Sequence, residues 1–485
     1  MAASKAVIES TEPKFTLNES QHELDAIDEK NCSVVNITDI QDGESYEVEG
    51  ELEEDLKAVT QPAYGYVSPD SNEYILSPHE KYPPDRGWRA WICVLGAYFG
   101  TMSTFGLVNV MGVFSEYYKT YLLKDYSSSA IAWITSIETF VIVFGAILVG
   151  PLYDIYGPKP LMIPGTIIMV LGVMMTSICT QYWQLILAQS LCTACGATLL
   201  FNPVLSSVSG WFQRKRAAAI GITTAGASTG GVILPILFRR IQARSGFGWA
   251  VRSMGFFVLG LAIVTNLCIT SRVRPPGKRQ VNLRDTYVKP FAWLPFTLTS
   301  IGAILIMTGA YVPVNYLNSF GRYHGFSADL SAYLSSVLNG ASTLGRILPG
   351  VLADKVGRFN MFTVASWITG TLAIAFWIPI HTESQILAFT VVYGFVSGAS
   401  LTVWQAAVAE ISPLRELGAR LGAVNALTAF GTLAGIPIGG AILDSGSREK
   451  YWGIAIFTGI CMIGGGCFGW WAKLLVTHGE WLSKK

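Results

Sequence analysis

Apolar positions in this chain come in blocks. Beginning after residue 88, runs of about 20 or more mostly apolar residues recur at roughly 90–115, 129–152, 160–179, 183–208, 217–238 and 249–270. A second set follows at roughly 292–316, 328–352, 360–380, 385–409, 419–443 and 451–475. A helix needs about 20 residues to cross a hydrocarbon core, and only a helix or a closed barrel satisfies its own backbone there. The pattern therefore predicts an all-α membrane protein with twelve transmembrane helices in two six-helix halves, 86–270 and 292–475. A loop at 271–291 joins the halves, an 85-residue tail (1–85) precedes them and a short tail (476–485) follows.

Composition agrees with that reading. Only 14% of the 485 residues are charged, 51% are hydrophobic, and there are 49 glycines; a soluble chain carries about a quarter charged residues. Residues 1–85 are of another kind, with 20 Asp and Glu against 5 Lys, a net of −15, and no apolar run long enough to insert. Such a segment cannot offset its ordering entropy by burial, so a disordered acidic tail is expected. It lacks the basic-then-apolar start of a cleaved signal, which leaves targeting to the first membrane helix.

Basic residues set the expected orientation. With both termini cytoplasmic, inner loops hold Lys159, Arg214–Arg216, the basic stretch 271–291, Lys355, Arg358, Arg415 and Arg420. The cluster Arg239, Arg240 and Arg244 falls on the other side and runs against the bias. A cytoplasmic tail would leave the sequons at Asn18, Asn31 and Asn36 bare. Lys5, Lys14, Lys30 and Lys57 would then be open to a ubiquitin ligase or trafficking factors. The basic 271–291 loop would face anionic headgroups of the lipid bilayer. The expected location is the plasma membrane, with a vacuolar membrane as the alternative.

Several function classes drop out. No Gly-x4-Gly-Lys-Ser/Thr loop is present for ATP, and the five histidines are scattered, so neither cofactor nor metal site is expected. Nothing points to nucleic acid or to an enzyme. The cysteines lie mostly in or beside apolar spans, and Cys192-Thr-Ala-Cys195 reads as small packing residues rather than a redox pair.

The halves echo one another. Gly150-Pro-Leu-Tyr-Asp154-Ile-Tyr-Gly157-Pro-Lys159 closes the second span; Gly350-Val-Leu-Ala-Asp354-Lys355-Val-Gly357-Arg358 closes the eighth. Glycines permit close helix approach, and an Asp with a nearby cation at a helix end can latch neighbouring helices on one membrane face. A second echo pairs Gly221 through Pro235 with Gly422 through Pro437. Paired six-helix halves suit a carrier that rocks about a site near the midplane.

These residues resemble the major facilitator superfamily, whose loop motif between spans two and three is the one quoted. More narrowly, Asp85-Arg-Gly87-Trp88-Arg-Ala-Trp91 and Trp211-Phe212-Gln-Arg214-Lys215-Arg216 through Gly226 resemble signatures of monocarboxylate-transporter-like carriers, above all their fungal branch. The resemblance covers residues 83 to about 475. It implies a secondary transporter, working as a monomer, for a small organic and carboxylate-bearing metabolite. Export of a bulkier secondary metabolite and a nutrient-receptor role are the alternatives. Gly221-x8-Gly230-Gly231 is part of an antiporter signature without its Gly-Pro centre, a weak pointer to export.

Ionisable groups at membrane depth are costly and mark function. Arg346, four residues before Gly350, stands where the resemblance places a substrate-binding arginine; its guanidinium can fork onto a carboxylate. A supporting role for the Asp354 latch is the alternative. Glu138, midway along the second span, is placed to take up and release protons, which suits proton coupling; a packing hydrogen bond or a counter-charge would also explain it. The lysine and acid expected beside Arg346 from the resemblance are here Asn109 and Ser342, so lactate-like substrates are disfavoured. Tyr311-x-Pro313-x-Asn315-Tyr316, expected to break the seventh span as an outer gate, is also expected to line the cavity. Asn202-Pro203, expected to break the fourth, Trp404-Gln405 and Asn425 complete that set.

Overall fold

A computed structural model describes residues 87–272, 287–413, 416–444 and 450–480. The acidic tail with its sequons and lysines, most of the inter-half loop, and Arg415 lie outside the described residues. Twelve long helices make up the rest: α1 (Trp88–Leu122, with a turn at Asn109 and Val110), α2 (Ser128–Phe144 continued by Ala146–Tyr156), α3 (Lys159–Thr176) and α4 (Tyr182–Trp211). Next, one 53-residue run, Arg216–Cys268, breaks at Gly246 into α5 (216–245) and α6 (247–268). The second half contains α7 (Leu294–Tyr323), α8 (Ala328–Val356), α9 (Arg358–Trp377), α10 (Glu383–Glu410), α11 (Leu417–Asp444) and α12 (Lys450–Val476). Ten of the helical runs are long and apolar enough to cross a membrane, the α5–α6 run counted once. The protein is a multi-pass membrane protein.

Lipid inverts the usual packing rule. Along α3 the exposed large apolar positions are Ile163, Ile167, Leu171 and Met175, spaced one turn apart, whereas Gly165, Gly172 and Thr176 are buried. Large apolar side chains face the tails, and small ones let backbones meet. Gly196 of α4, for example, faces Gly165 and Met169 so closely that an added Cβ would collide with their backbone.

The same helix order recurs in both halves. Gly226 lies against Tyr98, and Gly230 against Gly106, so α5 runs parallel to α1; Gly96 meets Cys268, and Gly100 meets Thr265, so α6 runs antiparallel. The chain therefore reverses at Gly246, whose φ of 79° and ψ of 175° an L side chain rarely adopts. In the second half Gly435 meets Thr308 and Gly439 meets Tyr316, while Gly309 meets Cys461. So α11 parallels α7 and α12 opposes it.

Three expectations need correction. The Arg239, Arg240 and Arg244 cluster is not in a loop: α5 carries it as helix beyond the expected end at 238. Pro313 does not break α7, which continues to Tyr323. Nor does Pro203 break α4; the irregularity there is a π-helical stretch at Ile186–Thr193. A proline removes one backbone bond, but ending the helix in lipid would strand several.

Candidate functional site

The halves meet along two related seams, α2 with α11 and α5 with α8. At each seam an Asp from one half caps the fifth helix of the other. Asp154 accepts from the backbone N–H groups of Gly418 (3.2 Å) and Ala419 (2.8 Å) at the start of α11. Asp354 accepts from those of Ala217 (3.0 Å) and Ala218 (2.8 Å) at the start of α5. The first amides of a helix have no intrahelical partner and carry partial positive charge, so a carboxylate there satisfies both needs. Gly157 (φ 76°) and Gly357 (φ 110°) end α2 and α8 just past each Asp in a conformation that favours glycine.

At Asp354 the expected cation is in place. Arg358 bonds Asp354 (3.1 Å) and pairs with Glu410 at the end of α10; its guanidinium also reaches the Gln213 carbonyl. Arg216 adds a bond to the Ala409 carbonyl at 2.7 Å. Lys159, by contrast, donates to the Asn266 carbonyl of α6. Sequence does not single out Glu410 and Arg216 as partners, because they lie far apart along the chain and meet only where α5, α8 and α10 converge. Asp354→Ala is expected to cost about 1–3 kcal/mol through its abandoned amides, read as a lower unfolding temperature in nanodiscs; Asp354→Asn, which keeps one acceptor, should lose less.

Away from this closed face a cavity of about 470 Å³ opens between the halves. It is lined by α1, α2 and α5 from one side and α7, α8 and α11 from the other. Lys119, Arg239 and Arg322 are among its lining residues, and no Asp or Glu is among those described. Arg239 lies over the Tyr333 ring, 5.9 Å from its centre. Below it is a recess of about 50 Å³, sharing Thr139, Tyr311 and Thr432 with the larger space. Phe105, Phe201, Met307 and Leu401 give the recess apolar walls; Arg346, Trp404, Gln405 and Asn425 are among its polar residues, with Tyr311 and threonines from both halves.

Most of the expected site residues converge here. Arg346 lines the recess, its Nη1 donating to the Thr224 carbonyl at 2.8 Å. It lies eight residues, about 12 Å along α8, from Asp354, and Asp354's carboxylate bonds go instead to α5 amides and Arg358. Tyr311 lines both spaces; Asn425 lines the recess. Asn109 and Asn315 line the larger cavity, Asn109 donating to Ala227 O at 3.1 Å and Asn315 to Tyr311 O at 2.8 Å. Ser342 accepts from Ser228 across the α5–α8 seam at 3.4 Å.

Asn202 does not join them, its Nδ2 donating to the Thr198 carbonyl of its own helix at 3.2 Å, and neither does Glu138. It is 1% exposed and lines neither space. Its Oε2 accepts from Gln189 Nε2 (3.0 Å), and Gln189 Oε1 accepts from the Tyr118 hydroxyl (2.7 Å), a chain linking α2, α4 and α1. Thr135 and Thr139, one on either side of it in sequence, do line the cavity. Helical spacing thus turns Glu138 inward, into its own half.

Twelve helices in two like halves around such a cavity meet their counterpart in a family model, that of the Major Facilitator Superfamily, which matches residues 90–392 and again 300–484. The chain belongs to the major facilitator superfamily. Among similar members are "MFS transporter asaE" of Aspergillus flavus, 41% identical over 81% of this chain and 89% of that one, and the "Fujikurins efflux protein" of Gibberella fujikuroi, 40% identical over 80% and 83%. The "Aspyridones efflux protein apdF" of Emericella nidulans is 39% identical over 83% and 82%. In structure the chain is similar to the major facilitator transporter FucP in the outward conformation, with a TM-score of 0.62 at 11% identity over 79% of this chain and 98% of that one. That likeness concerns the fold.

Proposed function

We propose that this transporter exports an organic anion with a sizeable apolar part, a secondary metabolite in class, by alternating access. The observation that carries the reading is the cavity itself: both halves line it, Arg346 stands in its recess, three more cations line its wider part, and no described lining residue is acidic. A guanidinium stays charged at membrane depth and binds carboxylates or enolates by paired hydrogen bonds. Apolar walls at Phe105, Phe201 and Met307 suit the remainder of such a molecule. Outward direction is supported by the relatives named as efflux proteins.

In this reading the Asp154 and Asp354 face is cytoplasmic, and the cavity opens to the outside of the plasma membrane. The narrower likeness to monocarboxylate carriers bears on Arg346, while Asn109 and Ser342 in place of charged partners argue against short acids. Metabolite profiling of cells and medium in a deletion strain, its parent and an overexpressor tests the proposal. An anionic compound should build up inside on deletion and outside on overexpression. Depletion of a compound from the medium by the overexpressor would reverse the direction, and a cationic or neutral substrate would remove the anion assignment.

Glu138 supplies the coupling in this reading, being the one acidic side chain buried among the described residues. Glu138→Gln is expected to flatten the dependence of flux on external pH, because the amide cannot exchange a proton. A mutant that keeps the wild-type pH profile would exclude Glu138 from coupling.

A further inference from the structure

Four residues that line the recess each carry a buried side-chain atom with no hydrogen-bond partner: Arg346 Nε, Trp404 Nε1, Gln405 Oε1 and Asn425 Nδ2. Trp404 is 1% exposed, Asn425 3% and Gln405 7%. An orphaned buried donor or acceptor is costly, and folded interiors leave few of them. Four around one space of about 50 Å³, room for a few water-sized groups, mark a seat for a small polar head.

The sense of each atom limits what that head can be. Arg346 Nε, Trp404 Nε1 and Asn425 Nδ2 donate; Gln405 Oε1 accepts. A bare carboxylate answers the donors and leaves Gln405 unmet, because it has no proton to give. A neutral alcohol leaves the guanidinium without a counter-charge. Trp404, Gln405 and Asn425 all belong to the second half, on α10 and α11. The aromatic wall of Phe105 and Phe201, with centroids 4.6 Å apart, belongs to the first.

Resting on the organic-anion reading above, we propose that the substrates carry an anionic oxygen with a hydroxyl beside it, as in a hydroxy acid. The anion is held by Arg346, Trp404 and Asn425, the hydroxyl donates to Gln405, and the apolar body extends past Tyr311 into the larger cavity. Gln405 is then the specificity residue: it separates hydroxylated anions from plain ones. The second half reads the head, and the body lies between both halves.

Salicylate (2-hydroxybenzoate), benzoate and salicyl alcohol test this as probes, with binding to the full-length protein in nanodiscs followed by thermal stabilisation. Salicylate is expected to bind about tenfold tighter than benzoate, one hydrogen bond's worth, and the alcohol weaker still. Gln405→Leu should bring salicylate down to benzoate; Gln405→Met serves if the leucine variant does not accumulate. Trp404→Phe should weaken both acids alike. Equal affinities for the two acids in the wild type, a preference that survives Gln405→Leu, or no stabilisation by salicylate would each overturn the proposal. Export is read separately, from metabolite accumulation by intact cells, so a transporter that exports but ignores the hydroxyl loses only this inference.

Discussion

Arg346→Gln is expected to abolish export while the protein still folds and reaches the membrane. The side chain has one structural bond, to the Thr224 carbonyl, and a glutamine amide can still donate in that region. What disappears is the fixed charge beside the recess. Removing one partner of a buried charge pair costs about 2–5 kcal/mol, at least about thirtyfold in affinity. Efflux from loaded cells should fall by that factor or more. Monodisperse elution of the solubilised variant would show that folding is intact. Undiminished efflux of an anionic metabolite would take Arg346 out of the binding site.

A comparable loss is expected from Gly150→Val, by a different route. In the closed face a Cβ at Gly150 collides with the Gly418 carbonyl, with the carbonyl carbon only 2.8 Å away. Backbone cannot yield as a side-chain tip can, so α2 and α11 must part. Overpacking of this kind costs about 1–3 kcal/mol, which shifts the balance between closed and opened seams about 5- to 150-fold. Spin labels at Ile155 and Glu416 should report a longer separation, with flux reduced and insertion retained. Wild-type distances in the valine variant would show that the seam tolerates the bulk elsewhere.

The sequence exposes some of these features and conceals others for physical reasons. Lipid demands apolar length, so eleven of the twelve helices are long and apolar enough to stand out in hydropathy, α8 with its Arg346, Asp354 and Lys355 being the exception. The repeated Gly-x-x-x-Asp-x-x-Gly is visible because both seams need the same glycines and the same cap. Arg346 stands out because charge is rare at that depth. The backbone donors to Asp154 are hidden in sequence, because they lie on α11, 264 residues on. Trp404 and Gln405 look like ordinary span residues until α8, α10 and α11 leave their polar atoms facing one space. Glu138, equally conspicuous in sequence, turns out to face Gln189 rather than the cavity, a distinction that needs the rotation of α2.

The two aspartates act reciprocally: each half caps the fifth helix of the other. That is the geometry of an isologous dimer, in which one patch on a subunit meets its mate and the mate meets it in return. A six-helix ancestor carrying this glycine–aspartate corner would have been self-complementary before any fusion, needing no second surface to pair. Two such copies in one chain would be free to diverge. The α5–α8 seam carries the Arg358–Glu410 and Arg216 network, and the four recess residues with orphaned atoms all stand on the second half. A symmetric hinge thus encloses an asymmetric recess.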